Sequence, residues 1–190
     1  MPRRTLTFPK AAAAVLEPEG FVRQGRNDWM RLVGDYQDLI DLQVSSGLTD
    51  ITVNVRMLEK SIHALLLEVS AGRGFSIYPV NERVPKLIHG RDQWWKRSDP
   101  QGPSELAAAI GEHALPLLER LHSPAGLLAY LEPTIIKWRN PFGRMYAAVL
   151  LHRMGRQEDA CALLSEAPRL VRGPMLDGLR ARLGCEIAAP

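Results

Sequence analysis

Two neighbouring stretches of alternating side chains constrain the fold more than any other feature of this sequence. In Ile40–Val44 and in Ile51–Met57, apolar residues alternate with polar ones. Successive side chains of a β-strand point to opposite faces, so this pattern predicts two strands with one buried and one polar face. The short segment Ser45–Asp50 joins them as an antiparallel pair. A shift of one residue would carry every apolar side chain into water, so the two apolar faces set the register.

Short elements precede and follow this pair. Pro9–Leu16 is predicted to be a helix, because proline at the first position and a run of alanines both favour one. Phe21–Arg26 and Trp29–Val33 are separated by turn-favouring residues and are predicted to be two short strands or one hairpin. Beyond the second alternating run, apolar residues spaced three and four apart favour a helix, whereas the run Leu65–Leu67 also suits a buried strand. Residues 59–71 therefore stay open between helix and strand.

The second half of the sequence is predicted to be helical. Ser104 is placed to cap the first of these helices, and Pro116 falls inside its apolar pattern, where it should kink or split the helix. Later helices begin at Ser-Pro, Asn-Pro and Gly-Pro steps, which are typical helix starts. The chain is thus predicted to be an α+β protein, with an antiparallel β-sheet, an N-terminal helix and a C-terminal group of helices. We expect an α+β domain over residues 1–131 and a helical extension, packed on it, over residues 132–190.

The order and spacing of several short motifs resemble those of a known family. The motifs are Gly20-Phe21, Gly25-Arg26, Leu42-Gln43-Val44-Ser45, Ile51–Val55, Arg83-Val84 with Leu87, Asp92–Trp95 and Ala114–Pro116. On these motifs, residues 10–131 resemble the bacterial domain-of-unknown-function family 4304, with a departure at residues 58–80. The resemblance implies an α+β fold with an antiparallel sheet. It implies no activity, because the family has none assigned.

A second resemblance covers a short segment near the C-terminus. Between Tyr146 and Leu164, the spacing of alanines, leucines and one glycine is similar to that of a single tetratricopeptide helix pair. Ala147 and Ala160 would let the two helices approach closely, and Gly155 would form the turn between them. One such unit cannot bury its own apolar face, so a helical hairpin packed on the rest of the protein is the favoured interpretation. A peptide-binding groove is the alternative.

Composition indicates a folded protein of ordinary charge. The net charge is +3, and arginines are scattered along the chain, whereas nucleic-acid-binding proteins usually concentrate their cations on one face. Cys161 and Cys185 lie among alanines and leucines, so we expect buried free thiols, which suit a reducing cytoplasm. No signal peptide is recognisable, and no apolar stretch is long enough for a membrane span. A cytoplasmic protein without membrane contact is expected.

Residue patterns typical of enzymes and metal proteins are missing from the sequence. The histidines occur singly, at spacings that do not match a helical metal site. Nucleophile-elbow and phosphate-loop motifs are also missing. Asp35, Asp38 and Asp41 lie close together, but without a convergent partner they are interpreted as a solvated face. We therefore predict no catalytic residues, no metal site and no cofactor, and the protein is not expected to be an enzyme.

The remaining candidates are for binding. Trp94 and Trp95 are neighbours on an extended segment, so one is expected to face the core while the other meets a loop or a ligand, with Arg91 close by. A structural role for this pair is the favoured interpretation, and a binding surface is the alternative. The polar face of the strand pair adds Gln43, Asn54 and Arg56. These six residues are the predicted binding site.

Two functions are weighed for the protein. The favoured one is a non-enzymatic protein–protein interaction domain, in which an immunity or accessory role toward a toxin is an analogy at the level of the fold. The alternative is a nucleic-acid-binding module that uses Arg23, Arg26, Arg31 and Arg56 with Trp29 for stacking.

Overall fold

The computed structural model describes residues 6–70, 78–138, 141–166 and 173–185. The fold is α+β, as predicted. The strands are β1 Val22–Arg23, β2 Asp28–Val33, β3 Tyr36–Val44, β4 Asp50–Glu59, β5 Val80–Arg83 and β6 Trp95–Lys96. The helices are α1 Phe8–Leu16, α2 Lys60–Val69, α3 Val84–His89, α4 Gly102–Ala109, α5 Leu115–Leu121, α6 Pro124–Trp138, α7 Pro141–Arg153, α8 Gln157–Ser165 and α9 Pro174–Arg182. Within the described residues, no helix combines the length and the apolar content needed to cross a lipid bilayer.

The chain divides into two compact units that interleave along the sequence. The first comprises Met1–Met57 and Val80–Glu119, and the second comprises Leu58–Pro79 and Arg120–Pro190. This division differs from the expected boundary after residue 131, because α2 packs against α7 and α9 of the C-terminal part. Residues 60–69, which the sequence left open between helix and strand, are helical.

The first unit is built on an antiparallel sheet in the order β1-β2-β3-β4-β5, with β6 also paired to β4. The predicted pair is present as β3 and β4. The inner face carries the large apolar side chains, which alternate along each strand as expected for half-buried strands. They are Trp29, Ile40, Leu42, Ile51, Val53, Val55 and Met57, all buried.

The predicted polar face of the strand pair is more buried than the alternation suggested. Thr52 and Asn54 of β4 are both buried, and so is Asp41 of β3. The reason is the segment between α3 and β6, which crosses this outer face: the Thr52 hydroxyl donates a hydrogen bond of 3.2 Å to the Gln93 carbonyl. The outer face is therefore partly covered by a loop that lies far away in sequence.

Asp38 lies on the inner face and is fully buried, so the interpretation of Asp35, Asp38 and Asp41 as a solvated face was wrong for Asp38 and Asp41. Asp38 stands opposite Arg31 in the β2–β3 pairing. Its Oδ2 accepts hydrogen bonds from Arg31 Nε at 3.0 Å and Nη2 at 2.8 Å. The same Nη2 lies 2.7 Å from Glu119 Oε1. A buried carboxylate is tolerated here because it is paired with a cation and hydrogen-bonded.

Pro116, which was predicted to kink or split its helix, lies just after a π-helical turn in a stretch that stays helical. α4 passes into this turn at Ile110–Ala114, and α5 continues from Leu115. The π-helical turn changes the hydrogen-bond pattern immediately before the proline, which has no N–H to donate. Ser104 does not cap the first helix: it is the third residue of α4, and Gln101 precedes the helix.

The second unit is organised around the start of α2. The Glu59 carboxylate caps this helix by accepting hydrogen bonds from the N–H groups of Ser61 and Ile62, and Arg153 Nη1 lies 3.0 Å from Glu59 Oε2. The hydroxyl of Tyr146, which is buried in α7, donates a 2.9 Å hydrogen bond to the Glu59 carbonyl. Glu59, the last residue of β4, thus bonds to both α2 and α7.

α7 and α8 form the predicted helical hairpin. Gly155 makes the turn with a φ of +75°, a backbone conformation that glycine adopts without strain. Ala147 and Ala160 are both buried, which fits the expected close approach of the two helices.

The expectation of free thiols was wrong. Cys161 in α8 and Cys185 after α9 form a disulfide, with their Cα atoms 5.3 Å apart. The pairing joins two segments that are separated by 24 positions in the sequence, so neither residue's local context indicated it. The cysteines therefore no longer support the expectation of a reducing cytoplasm.

Neutralising Asp38 should destabilise the first unit. Asp38→Asn leaves the buried Arg31 short of one counter-charge, and loss of one partner from a buried ion pair costs about 3 kcal/mol. Asp35→Asn is the matched control, because Asp35 is exposed and its change should cost about 0.5 kcal/mol or less. Urea denaturation measures both free energies of unfolding, and equal effects would contradict the role given to the buried pair.

Removal of the disulfide should destabilise the second unit. The cross-link spans a sequence separation of 24 residues, and closing a loop of that size in the unfolded chain contributes about 3 kcal/mol. Cys161→Ser with Cys185→Ser should lower the urea midpoint, and reduction of the wild-type protein should lower it to a similar extent. Thiol titration of the denatured, unreduced chain should detect no free thiol. Two reactive thiols in that sample would show that the disulfide does not form.

Candidate functional site

An open depression of about 340 Å³ lies in the first unit, where the outer face of the sheet meets α3. β3 and β4 supply its floor, and β5, α3 and the segment after α3 supply its walls. All of its lining side chains are polar or charged. They are Gln43, Asn54, Arg56, Asn81, Glu82, Arg83, Lys86 and Asp92.

Hydrogen bonds between strands order the floor of this polar depression. Asn54 Nδ2 donates to Asp41 Oδ2 at 2.9 Å and to Gln43 Oε1 at 3.2 Å. Arg56 continues the network, with its Nη2 3.0 Å from Asp41 Oδ1 and its Nε donating to Asn81 Oδ1 at 3.2 Å. Because Arg56 and Asn81 are direct cross-strand partners, the β4–β5 register brings them together.

Arg83 forms the wall nearest Trp94. It stands opposite Asn54 in the β4–β5 pairing, so both side chains lie on the outer face. Its Nη1 lies 2.6 Å from Asp92 Oδ2, and its guanidinium carbon lies 5.0 Å from the centre of a Trp94 ring. This stacked, ion-paired arrangement holds a long side chain in one position at the edge of the depression.

The structure brings together four of the six predicted site residues. Gln43, Asn54 and Arg56 line the depression, and Trp94 borders it through Arg83. Trp95 is 8% exposed and pairs with Ile51 on the inner side of the sheet, so it belongs to the core. The expected division of the two tryptophans between core and surface is therefore observed.

Arg91 is exposed and does not line the depression. Its neighbour Asp92 is a lining residue, so the inclusion of Arg91 in the predicted site stays a prediction.

Most residues of the walls were missed by the sequence analysis. Asn81 and Arg83 alternate within β5, and Glu82 and Lys86 have helical spacing, with their charged groups 3.9 Å apart. These are weak signals, because β5 has four residues and nothing in its composition shows that it pairs with β4. Asp92 belongs to one of the motifs that resemble family 4304, but it was not predicted to be a site residue.

The residue types of the depression suit non-covalent recognition. Its cations, Arg56, Arg83 and Lys86, face the carboxylates of Glu82 and Asp92, while amide groups supply both donors and acceptors. Across the described part of the chain, no group of three or more His, Cys, Asp or Glu side chains is placed to hold a metal ion. The arrangement can exchange hydrogen bonds and ion pairs with a polar ligand.

Two residues of the nucleic-acid alternative are unavailable for contact. Trp29 is fully buried, with the Arg23 guanidinium 5.4 Å from the centre of its ring, so it cannot stack on a base. Arg31 is 8% exposed and is occupied by Asp38 and Glu119. The roles predicted for these two residues were wrong, because the strand that carries them faces inward at both positions.

Comparison with protein families, with curated proteins and with solved structures finds no match for this chain. The resemblance to family 4304 therefore stays a prediction.

The two tryptophans should respond differently to truncation. Trp95→Ala opens a cavity in the core and is expected to cost about 3–5 kcal/mol of stability. Trp94→Ala removes a partly exposed ring and its contact with Arg83, for about 1 kcal/mol. Thermal or urea denaturation of the two variants measures the difference, and a large loss for Trp94→Ala would assign that residue to the core instead of the site.

Proposed function

We propose that this protein is a non-enzymatic binding protein that recognises a partner protein through the polar depression. The observation that carries the proposal is the convergence of Arg56, Arg83 and Trp94 on one ordered patch of the outer sheet face. Arginine and tryptophan are the residue types that contribute most to the affinity of protein interfaces.

Order in the free protein supports this role. The side chains of Asn54, Arg56 and Arg83 are already held by hydrogen bonds and ion pairs within the chain. Binding immobilises flexible side chains at a cost of about 0.5–1.5 kcal/mol each, and side chains that are already fixed lower that cost. A partner that binds to these fixed side chains gains affinity without having to order the surface.

The balance of charge favours a protein partner over a nucleic acid. A surface that binds phosphates presents an excess of cations, whereas the cations of this depression are interleaved with Glu82, Asp92 and Asp41. Such a mixed pattern is matched by a polar protein surface that carries both signs. A toxin that this chain neutralises is the class of partner we propose, in keeping with the analogy drawn from the sequence.

A charge reversal in the depression tests the proposal. Lys86 is 54% exposed, so Lys86→Glu should leave the fold intact and weaken partner binding about tenfold, equivalent to about 1.4 kcal/mol. Wild type, Lys86→Glu and the matched control Arg91→Glu would serve as baits for proteins from the source cells. A partner should be retained by wild type and control, be depleted on Lys86→Glu, and show the same order of affinities by calorimetry once purified.

Two outcomes would contradict the proposal. In one, no captured protein distinguishes Lys86→Glu from the wild type. In the other, nuclease treatment removes the binding, and affinity for single-stranded oligonucleotides falls steeply with salt, which would favour the nucleic-acid alternative.

A further inference from the structure

A second concave surface in the first unit has the opposite character to the polar depression. It is a groove of about 610 Å³ between the start of α1, the β3–β4 loop and the segment before α4. Its floor is largely apolar and includes Phe8, Val44, Ile51 and Pro100. Sites for small molecules are typically clefts of about 300–1,000 Å³ with mainly apolar walls and a few polar groups.

Two large apolar side chains of this groove are held out in solvent. Leu6 is 46% exposed and Leu48 is 67% exposed, and both line the groove. The other exposed large apolar residues within the described part of the chain lie outside it. They are Val22, Leu32, Leu87 and Met154. Paired exposed leucines over an apolar floor form a surface that a ligand can bury.

The backbone of Leu48 is strained, and packing does not explain why a leucine is there. Its φ of +58° is a left-handed conformation that glycine adopts freely and leucine does not. The loop holds it by a hydrogen bond of 2.9 Å from Leu48 N–H to the Ser45 carbonyl and one of 2.8 Å from Arg97 Nη1 to the Leu48 carbonyl. Strained residues of this kind cluster at ligand sites, where the conformation is kept for function.

Two arginines stand at the edges of the groove. Arg97 is fixed by its contact with Leu48 and by a backbone hydrogen bond of 2.8 Å to the Thr49 carbonyl. Arg26 lies on a turn that Arg23 braces, with Arg23 Nε donating to the Gly25 carbonyl at 2.9 Å. Guanidinium groups bind carboxylates through paired, charge-assisted hydrogen bonds.

Asp99 is the acidic residue of the lining. One of its carboxylate oxygens accepts a 2.9 Å hydrogen bond from the Gln101 N–H, immediately before α4. Two arginines and one aspartate line the groove, so the net charge of its lining side chains is +1.

We propose that this groove binds a small amphiphilic carboxylate, that is, an apolar chain that ends in a carboxylate group. The chain lies on the floor beneath Leu6 and Leu48, and the carboxylate pairs with Arg26 and Arg97. This site shares no lining residue with the polar depression, so the proposal does not depend on the proposed protein partner.

Calorimetry with decanoate, a ten-carbon carboxylate, tests the proposal. Decanoate should bind the wild-type protein with a Kd below about 1 mM, and decyltrimethylammonium, which has the same chain and the opposite charge, should bind about tenfold more weakly. Arg26→Gln should weaken decanoate binding about tenfold. Arg91→Gln is the matched control, because Arg91 is exposed and lies outside the groove, and it should leave the affinity unchanged.

Leu48→Gly separates binding from folding. Because glycine relieves the strained backbone, this variant should melt at or above the wild-type temperature while binding decanoate more weakly. Leu32→Ala, at an exposed leucine outside the groove, should keep the wild-type affinity.

Three results would overturn the proposal. They are the absence of saturable decanoate binding, equal binding of the two amphiphiles, and unchanged decanoate affinity in Arg26→Gln. The last result applies even if Leu48→Gly fails to fold, since Arg26 lies on a separate turn.

Discussion

The guanidinium of Arg31 contacts four separate parts of the first unit. It pairs with Asp38 of β3 and Glu119 of α5, donates to the Glu19 carbonyl after α1, and lies 4.7 Å from the centre of the Phe21 ring. A charge removed from water costs several kcal/mol unless partners surround it, so few other arrangements of these elements are acceptable. The pairing is consistent with the register of β2 against β3, which the two-residue turn at Gly34-Asp35 sets.

The polar depression takes its geometry from the pairing of β3, β4 and β5. The pairing of β3 with β4 places the outer-face residues Asp41 and Gln43 beside Asn54, whose amide donates to both. β4 in turn positions Arg83 and Asn81 through its pairing with β5. The site is thus formed by side chains that are cross-strand neighbours on one face of the sheet. This explains how a surface without a catalytic group can still be well defined.

The alternation in the sequence predicted the strands, but it did not predict which of their charged side chains are buried. Asp38 has the same parity as Ile40, and with a two-residue turn at Gly34-Asp35 it must face Arg31, so the buried pair could have been found. The walls of the depression could not be predicted, because β5 pairs with β4 from a distant part of the sequence and Asp92 reaches the site only through its ion pair with Arg83. The disulfide was missed for the same reason. Local patterns report which face a residue occupies, but they do not report what covers that face.

Two features within the described residues contradict local preference, and they differ in what compensates for them. Hydrogen bonds and the ion pair between Arg31 and Asp38 compensate for the burial of the two charges. Hydrogen bonds of the loop hold Leu48 in its left-handed conformation. Its side chain is largely exposed, so side-chain packing does little to offset the backbone strain. This conflict between local preference and conformation is one of the observations on which the proposed ligand site at Leu48 rests. The groove beneath Leu48 is the surface on which a bound ligand would supply the missing contacts.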